Sequence, residues 1–243
     1  MDYIFGIRAV IEAIDAGKSI DKVLIRKDLG GDLARELLAK IRQFDILTQR
    51  VPQERLNRIT SKNHQGVIAQ ISPVTYHRLD HLLPALYEDG ANPFILVLDG
   101  LTDIRNFGAI ARTADCSGVN GIVIPKRNSV SVTADAVKTS AGALFYIPVC
   151  RENDLVAAVR FLKDSGIKVV AATEKASTLY TDCDFSVPTA VVMGSEDVGI
   201  SDEVLRLCDE LVAIPMQGNI GSLNVSVAAG VMMYEVVRQR GNL

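Results

Sequence analysis

The sequence predicts an α/β protein in which a small α/β unit precedes a larger, mostly parallel six-stranded sheet with helices on both faces. Residues 1–73 alternate between helical and extended patterns. Residues 93–243 contain six short apolar segments separated by helical patterns, which is typical of a parallel sheet buried on both faces. The intervening stretch is rich in proline, so we predict a linker over residues 74–92.

The small unit begins with a short strand and an amphipathic helix. Ile7, Val10, Ile11 and Ile14 fall on one face of this helix, and Gly17 is placed to end it. The other predicted elements are strands at 22–26, 46–51 and 66–71, a helix at 32–44, and a helix that starts at Pro52.

The linker and the larger unit follow. A short helical stretch is predicted within the linker, broken near Pro84 because proline cannot donate a backbone hydrogen bond. A long helix is predicted at the C-terminus, from residue 224 to residue 240. The six predicted strands of the larger unit are 94–99, 121–125, 145–149, 168–173, 189–194 and 211–215.

Composition narrows the class of protein. With 48% hydrophobic and 23% charged residues, the chain is typical of a soluble globular protein. No apolar run approaches the roughly 18 residues of a membrane span, and the charged N-terminus does not resemble a signal peptide. The four cysteines form no C-x-x-C pair, and the three histidines show no ligand spacing with them. We therefore expect free, buried or half-buried thiols, no metal site and a cytoplasmic protein.

The charge distribution bears on nucleic-acid binding. The net charge of −3 argues against a protein that holds RNA by bulk charge. Residues 1–73 nevertheless contain 12 Lys/Arg against 9 Asp/Glu, a local net charge of +3. If the chain binds RNA, we expect a focused basic patch and recognition of RNA shape as well as phosphate.

Three separated segments share one pattern, in which an apolar strand-like run breaks into Gly, Asn, Ser and charged residues and then becomes helical. They are residues 98–118, 191–201 and 214–230. Open α/β sheets bind ligands where strand ends open into loops, so these loops are predicted to form one site. No Gly-x-Gly-x-x-Gly follows a strand, which disfavours a dinucleotide-binding fold.

These segments resemble the three motifs of the SpoU (TrmH-type) RNA ribose 2′-O-methyltransferases of the SPOUT superfamily. The matching residues are Asp99, Asp103, Asn106, Gly108, Arg112, Thr113 and Ala114, then Gly194, Glu196 and Gly199, then Ser222 to Ala228. Residues 1–73 resemble the RNA-binding domain of the subfamily that methylates a 23S rRNA guanosine. The chain departs from the family pattern at Ile104, where proline is usual, and at Asp197, where glycine is common, so local loop geometry is expected to differ there.

The resemblance implies an S-adenosylmethionine-dependent RNA 2′-O-methyltransferase whose C-terminal segment is threaded into a trefoil knot. It also implies a homodimer with the active site near the dimer interface and, as substrate, a guanosine of 23S rRNA. The alternatives are a tRNA ribose methyltransferase, a non-catalytic RNA-binding assembly factor of the same fold, and a small-molecule α/β enzyme.

The implied cofactor site lies among three loops. Its predicted residues are Thr173, Met193, Gly194, Ile214, Met216, Ser222 and Leu223. A glycine lets backbone approach a ligand closely, and the apolar side chains would form walls for adenine. Without the motifs, the same residues would be interpreted as ordinary core and turn positions.

The implied catalytic residues are Asn106, Arg112, Glu196, Ser222 and Asn224. Arg112 is expected about 120° around a helix from Asn106, where its guanidinium would bind the target phosphate and stabilise a developing alkoxide. It is a poor candidate for the base because a guanidinium stays protonated. Glu196 is predicted to pair with Arg112 or to hold Asn224. Ser222 and Asn224 precede a helix, so capping is an alternative role that can coexist with catalysis.

Basic residues in two loops are predicted to contact RNA phosphates. They are Lys62 and His64 in the small unit, and Lys126, Arg127 and Lys138 in the loop over residues 125–143. In both loops, a plain surface connection is the alternative interpretation.

Overall fold

The structure is a computed structural model that describes residues 2–241. Two compact units divide the chain. Of the described residues, the first unit contains 2–75 together with the short segment 131–134, and the second contains 76–130 and 135–241.

The first unit is a mixed four-stranded sheet between helices. Its strands are β1 (Asp2–Phe5), β2 (Ile20–Arg26), β3 (Thr48–Val51) and β4 (Val67–Ile71), in the order β1-β4-β2-β3, and its helices are α1 (Ile7–Asp15), α2 (Asp32–Gln43) and α3 (Gln53–Ile59). Strands β2 and β3 are parallel, whereas β4 is antiparallel to both of its neighbours. Every element predicted for this unit is present.

Two apolar clusters hold the first unit together on opposite faces of its sheet. The predicted apolar face of α1 packs with Leu37 and Ile41 of α2 against alternate strand residues, and Leu56 of α3 packs with Leu24 and Ile68. Gly17 ends α1 with a φ of 67°, a conformation that glycine adopts without a steric penalty. The unit is therefore the three-layer arrangement that the sequence predicts.

The second unit is built on a parallel sheet. Its strands are β5 (Phe94–Asp99), β6 (Gly121–Pro125), β7 (Val149–Glu152), β8 (Lys168–Ala172), β9 (Thr178–Leu179), β10 (Thr189–Gly194) and β11 (Glu210–Ala213), in the order β7-β6-β5-β10-β8-β11-β9. Every neighbouring pair is parallel. Five of the six predicted strands are present where predicted, and the sixth overlaps β7 only at Val149. Strand β9 is a seventh that was missed because a strand of two residues has no detectable period.

Helices cover both faces of this sheet. They are α4 (Leu79–Glu88), α5 (Ile104–Cys116), α6 (Ala134–Thr139), α7 (Leu155–Asp164), α8 (Asp202–Leu205) and α9 (Val225–Gln239). Side chains of α4, α7 and α8 form one core with alternate strand residues such as Ala190 and Val192. The intervening residues Val191 and Met193 are buried on the other face, where α9 contacts β10 and packs against α5.

Two predicted boundaries were wrong. The strand predicted at 145–149 starts only at Val149, because a short 3-10 turn occupies Ala143–Phe145. Helix α4 is not broken at Pro84 but runs through it. Its Leu79 and Leu83 are buried in the core of the second unit, and this packing holds the helix together despite the missing proline N–H. Most of the predicted linker is therefore ordered structure.

The central strands place the predicted site. The order β5-β10-β8-β11 brings the carboxyl ends of four parallel strands to one edge of the sheet, and the polar loops predicted to bind a ligand start there. The trefoil knot stays a prediction. Within residues 2–241, no helix is both long and apolar enough to cross a membrane.

Candidate functional site

A cavity of about 540 Å³ opens at the carboxyl ends of β8, β10 and β11. This volume lies within the range of roughly 300–1,000 Å³ that is usual for small-molecule sites. All seven residues of the predicted cofactor site line it, together with acidic and small residues of the same loops. These further lining residues include Ala172, Glu174, Ser195, Glu196, Asp197, Gly199, Gly221, Asn224 and Ala228.

A tight loop after β10 forms one wall of the cavity. Ser195 and Gly199 exchange two backbone hydrogen bonds, of 3.2 and 2.9 Å, across it. A Cβ atom on Gly194 would lie 2.1 Å from the carbonyl carbon of Gly199. Glycine at position 194 is therefore required for the loop to fold back, a reason that differs from the close approach to a ligand that the sequence suggested.

Glu196 joins three segments of the chain at the cavity. Its Oε1 atom accepts hydrogen bonds from Asn106 Nδ2 at 3.1 Å, from Asn224 Nδ2 at 2.5 Å and from the backbone N–H of Val225 at 3.4 Å. Asn224 Nδ2 also donates to Asn106 Oδ1 at 3.0 Å. The start of α5, the loop after β10 and the start of α9 thus meet in one polar cluster, hereafter the Glu196 network (Asn106, Glu196, Asn224).

Helix caps fix the two asparagines of the network. Asn224 is the N-cap of α9, and its Oδ1 atom accepts from the backbone N–H of Ser226 at 2.9 Å. Asn224 therefore caps α9 and takes part in the Glu196 network at the same time. Asp103 caps α5 by accepting from the backbone N–H of Asn106 at 2.7 Å. Ile104 takes the first helical position, where proline is favoured, and α5 begins there without it.

Asp99 is a site residue that the sequence reasoning matched to a motif but gave no role. It ends β5 beside Gly194 of β10, and its Oδ2 atom accepts from the backbone N–H of Ser201 at 2.8 Å. This bond holds the far end of the loop that carries Glu196. The feature of the sequence that could have indicated this role is the position of Asp99 as the last residue of an apolar strand.

The cavity lining is acidic as well as apolar. Glu174, Glu196 and Asp197 contribute carboxylates, and no lysine or arginine is among the lining residues. Ile214, Met216 and Leu223 supply apolar surface. Such a lining favours a ligand with positive charge and an apolar, planar part.

Arg112 lies outside this arrangement in the single chain. It is exposed on α5, does not line the cavity, and makes no hydrogen bond or ion pair within residues 2–241. Within one chain, Glu196 holds Asn224, which is one of the two predicted alternatives, and does not pair with Arg112 of the same chain. Ser222 does line the cavity, with its side chain exposed.

The residues predicted to bind RNA differ in accessibility. His64 is only 5% exposed, and its ring nitrogens contact Asn57 Oδ1 at 2.9 Å and the backbone N–H of Gly66 at 3.0 Å. Its imidazole is therefore a structural group, and its prediction as an RNA ligand was wrong. Lys62 is exposed, with Nζ 5.8 Å from the ring centroid of Phe5.

The second predicted RNA-binding loop is more open. Lys126 is half-buried, and its backbone N–H donates to the carbonyl of Glu152 at 2.8 Å. Arg127 and Lys138 are both exposed.

The cysteines are free, but not all are shielded. Burial raises the pKa of the Cys150 and Cys183 thiols to about 12 and that of Cys208 to about 11. Cys116 is exposed on α5, contrary to the prediction of buried or half-buried thiols. In the part of the chain that the structure describes, no group of three His, Cys, Asp or Glu residues could hold a metal ion.

Two family models match the chain. The model of the SpoU rRNA methylase family matches residues 93–234, and the model of the RNA 2′-O ribose methyltransferase substrate-binding domain matches residues 3–77.

Similar proteins span the whole chain or its larger unit. The Bacillus subtilis protein YacO, named for the TrmH family of tRNA/rRNA methyltransferases, is 39% identical over 239 residues, which cover 98% of this chain and 96% of the relative. The AdoMet-bound rRNA methyltransferase of Sinorhizobium meliloti has a TM-score of 0.62 and 28% identity, covering 97% of this chain and 86% of that one. The TrmH/SpoU tRNA modifying enzyme of A. aeolicus has a TM-score of 0.57 and 29% identity, covering 68% of this chain and 85% of that one.

Proposed function

The chain belongs to the SpoU family of RNA methyltransferases, and from this premise we propose that it methylates the ribose 2′-hydroxyl of a guanosine in 23S rRNA. The reaction class follows from the family: the protein is an S-adenosylmethionine-dependent RNA ribose 2′-O-methyltransferase. Beyond this reaction class, we propose the particular substrate and the roles of individual residues. The main support for this proposal is the Glu196 network, which lies at the edge of a cavity whose lining fits the cofactor.

The cavity residues fit S-adenosylmethionine, which supplies an electrophilic methyl group on a positively charged sulfonium. Ile214, Met216 and Leu223 offer apolar walls for an adenine, and Glu174 and Asp197 offer negative charge to a sulfonium and an ammonium group. We propose that the cofactor is held by the lining residues Thr173, Met193, Gly194, Ile214, Met216, Ser222 and Leu223.

The Glu196 network is proposed to orient the ribose. All three bonds that Glu196 accepts go to Oε1, and its Oε2 atom makes no hydrogen bond within the described chain. Oε2 is therefore available to accept a hydrogen bond from a ribose hydroxyl, while Asn106 and Asn224 keep the carboxylate in place. Fixing a nucleophile in line with the methyl group supplies a large part of the rate of such a displacement.

Arg112 is proposed to act across a homodimer. It is exposed on α5, and its neighbour Thr113 lies 3.8 Å from the position where Gly230 of α9 would carry a Cβ atom, so the two helices are adjacent here. Helix α9 carries Val227 and Tyr234, which are 52% and 47% exposed. An apolar helical face of this kind favours a second copy, and the interface would bring Arg112 to the partner's RNA substrate, where its guanidinium binds phosphate.

Mixing two inactive variants tests this arrangement. Arg112→Ala and Glu196→Gln are each expected to be inactive as homodimers. If Arg112 works in the partner's site, random subunit exchange at equal amounts restores about a quarter of wild-type activity. No recovery, although native mass spectrometry shows mixed dimers, would place Arg112 in its own chain's site, and a monomeric mass would remove the dimer from the proposal.

Ribosomal RNA is favoured over tRNA by the extent of the structural matches. The S. meliloti enzyme, described as acting on rRNA, matches 97% of this chain, whereas the A. aeolicus tRNA enzyme matches 68%. The additional part here includes residues 3–77, which match the substrate-binding domain. We propose that residues 1–73 recruit the RNA, through Lys62 among others, and that residues 93–243 methylate it, in the cytoplasm.

Methyl transfer from labelled S-adenosylmethionine to protein-free 23S rRNA, a ribosomal precursor particle and bulk tRNA tests the substrate. We expect label in 23S rRNA, free or in the particle, and its loss with Glu196→Gln. Label in tRNA alone would show that tRNA, the alternative substrate, is methylated instead of 23S rRNA. A protein that neither binds the cofactor nor labels any RNA would be an assembly factor of the same fold.

A further inference from the structure

Two adjacent aromatic side chains are unusually exposed in the second unit. Phe145 is 62% and Tyr146 is 80% exposed, and both exceed the other exposed aromatic residues of this unit, Tyr87 and Tyr234. Adjacent large aromatic side chains that are exposed to solvent are typical of a surface that binds a ligand or a partner.

The turn that carries them is well defined. Ala143, Leu144 and Ile147 are buried on either side of the pair, and the backbone N–H groups of Phe145 and Tyr146 donate to carbonyls within the turn, both at 2.9 Å. Because the flanking residues are anchored, the two rings are held outward by the fold.

Backbone strain just before the turn supports the same interpretation. Ala141 and Gly142 have φ values of 53° and 89°, and the left-handed conformation is costly for alanine. The chain accepts this cost while turning from α6 into the segment that presents the rings. Strain of this kind is concentrated where a binding surface requires a particular geometry.

The aromatic pair belongs to a segment that packs directly against the helix of the active site. A Cβ atom on Gly108 of α5 would lie 2.6 Å from Thr139 Cβ and 3.1 Å from the carbonyl oxygen of Ala136, so α6 approaches α5 where only glycine fits. The 3-10 turn that follows α6 also contacts α5. Gly108 lies two residues after Asn106, so this contact is about half a helical turn from the Glu196 network.

The positive charge of the segment around the two rings favours a nucleic acid as the ligand of this surface. Residues 125–147 contain Lys126, Arg127 and Lys138 against one acidic residue, a net charge of +2 in a chain whose net charge is −3. Arg127 and Lys138 are exposed. Interfaces between protein subunits are depleted in lysine, whereas single-stranded RNA is held by aromatic rings beside cationic side chains.

We propose that Phe145 and Tyr146 form a stacking platform for unpaired bases of the RNA substrate next to the target nucleotide. The inference rests on the proposed function, because it assumes that RNA enters the site beside α5. Ring faces stack on any base, so the platform contributes affinity and position, while the exposed basic residues contact phosphates.

Direct RNA binding tests the platform separately from methylation. The dissociation constant for protein-free 23S rRNA is measured by filter binding for Phe145→Ala, Tyr146→Ala and the ring-preserving variants Phe145→Tyr and Tyr146→Phe, with Tyr87→Ala as a control for loss of an exposed ring. Each alanine variant is expected to weaken binding at least about fivefold, and the ring-preserving variants and the control are expected to bind like the wild type.

The salt dependence separates stacking from charge. Loss of a ring should leave the slope of log K against log salt unchanged, whereas Arg127→Ala should make that slope shallower. Wild-type affinity in both ring-to-alanine variants overturns the platform even if the enzyme methylates RNA. Loss of dimer mass in those variants would assign the rings to contact between copies and also overturn it. A wild-type protein that binds neither protein-free 23S rRNA nor the ribosomal precursor particle would contradict both the platform and the proposed function.

Discussion

Glu196 concentrates the chemistry of the site in one carboxylate. Three donors from two other segments converge on its Oε1 atom, so the orientation of the carboxylate is set by the start of α5 and the start of α9. Asp197 is its neighbour in sequence, also lines the cavity, and makes no hydrogen bond within the described residues. The two carboxylates therefore form a matched pair in which only one is held by the network.

Replacing these two carboxylates one at a time should separate their roles. Glu196→Gln removes the negative charge and puts an N–H donor in place of Oε2, the proposed acceptor for the ribose hydroxyl, so kcat should fall by about 100-fold or more. Asp197→Asn should leave kcat within a few-fold and act mainly on the affinity for the cofactor. Steady-state kinetics with cofactor binding measured by calorimetry gives both values, and equal losses of kcat in the two variants would contradict the assignment.

The four cysteines should differ in their reactivity toward alkylating reagents. Cys116 is exposed, whereas burial raises the pKa of Cys150 and Cys183 to about 12 and keeps their thiolates scarce. We expect a maleimide at pH 8 to label Cys116 first. Mass spectrometry of the labelled peptides identifies the site, and early labelling of Cys150 in the folded protein would contradict the described burial.

The sequence predicted the location of the site residues better than it predicted their contacts. The motifs placed Asn106, Glu196 and Asn224 in one site, because strand order brings their loops together. They left the partner of Glu196 open between Arg112 and Asn224, since the direction of Arg112 depends on how α5 is rotated against α9. The buried His64 is hydrogen-bonded to Asn57, a contact that no sequence pattern indicates.

At the scale of elements, two glycines inside helices have different environments. A Cβ on Gly108 would overlap Thr139 and approach the carbonyl oxygen of Ala136 in α6. On Gly230 of α9, the nearest atom to an added Cβ is Thr113 Cγ2 at 3.8 Å, an ordinary contact. The first glycine is needed for packing, and the second is not.

Alanine at each glycine should therefore change stability in opposite directions. Gly108→Ala should destabilise the protein by about 1–3 kcal/mol because of overpacking. Gly230→Ala should be neutral or stabilise it by up to about 1 kcal/mol, since alanine is the better helix former. Denaturant unfolding followed by circular dichroism measures both. A stable Gly108→Ala protein would mean that α6 does not approach α5 so closely.

Arg240 fastens the end of α9 to the segments that precede two central strands. Its guanidinium donates to the carbonyl oxygens of Asn92 at 2.7 Å, Val187 at 2.8 Å and Phe185 at 3.1 Å. Lysine cannot reproduce this fork, so both Arg240→Ala and Arg240→Lys should cost about 2–4 kcal/mol of unfolding free energy. Exposed Arg160→Ala is the control and should cost little. A lysine variant as stable as the wild type would contradict this role for the fork.

Element boundaries were predictable where the pattern is long and local. The helical periodicity of α1 and α9 and the apolar runs of the central strands were sufficient. The start of β7 was not, because FYIPV has the composition of a strand but its first residues are held in a turn by Ala143 and Leu144. The continuity of α4 depends on core contacts of Leu79 and Leu83, which outweigh the effect of Pro84.

At the scale of the whole molecule, carboxylates paired with cations govern stability in acid. The hydrogen bond from Arg238 lowers the pKa of Glu235, and that from Lys168 lowers the pKa of Glu210, below the ordinary value of 4.5. A carboxylate with a lowered pKa in the folded state contributes its full stability above that ordinary value. The contribution is lost as the pH falls through the lowered pKa.

The melting temperature should therefore fall in acid. The Tm is expected to change little between pH 7 and about pH 5.5 and to fall below about pH 4.5 as these carboxylates become protonated. Glu235→Gln should have a smaller acid-induced drop than the wild type. A Tm that rises as the pH is lowered from 5 to 3 would contradict the described pairs.

The overall architecture was the most predictable level. A doubly covered parallel sheet follows from alternating apolar and helical segments, and the first unit follows from its own periodicities. The threading of the chain does not, because many topologies share the same elements, and the dimer depends on surfaces that one chain leaves exposed.

The most direct test of the central claim is the chemical position of the transferred methyl group. A ribose methylated at its 2′-oxygen blocks alkaline cleavage of the adjacent phosphodiester, so labelled RNA should yield one alkali-resistant dinucleotide. We expect the wild type and Asp197→Asn to produce this dinucleotide and Glu196→Gln to produce none. Label that alkali releases on single nucleotides would place the methyl group on a base and contradict the assignment, as would full activity of Glu196→Gln.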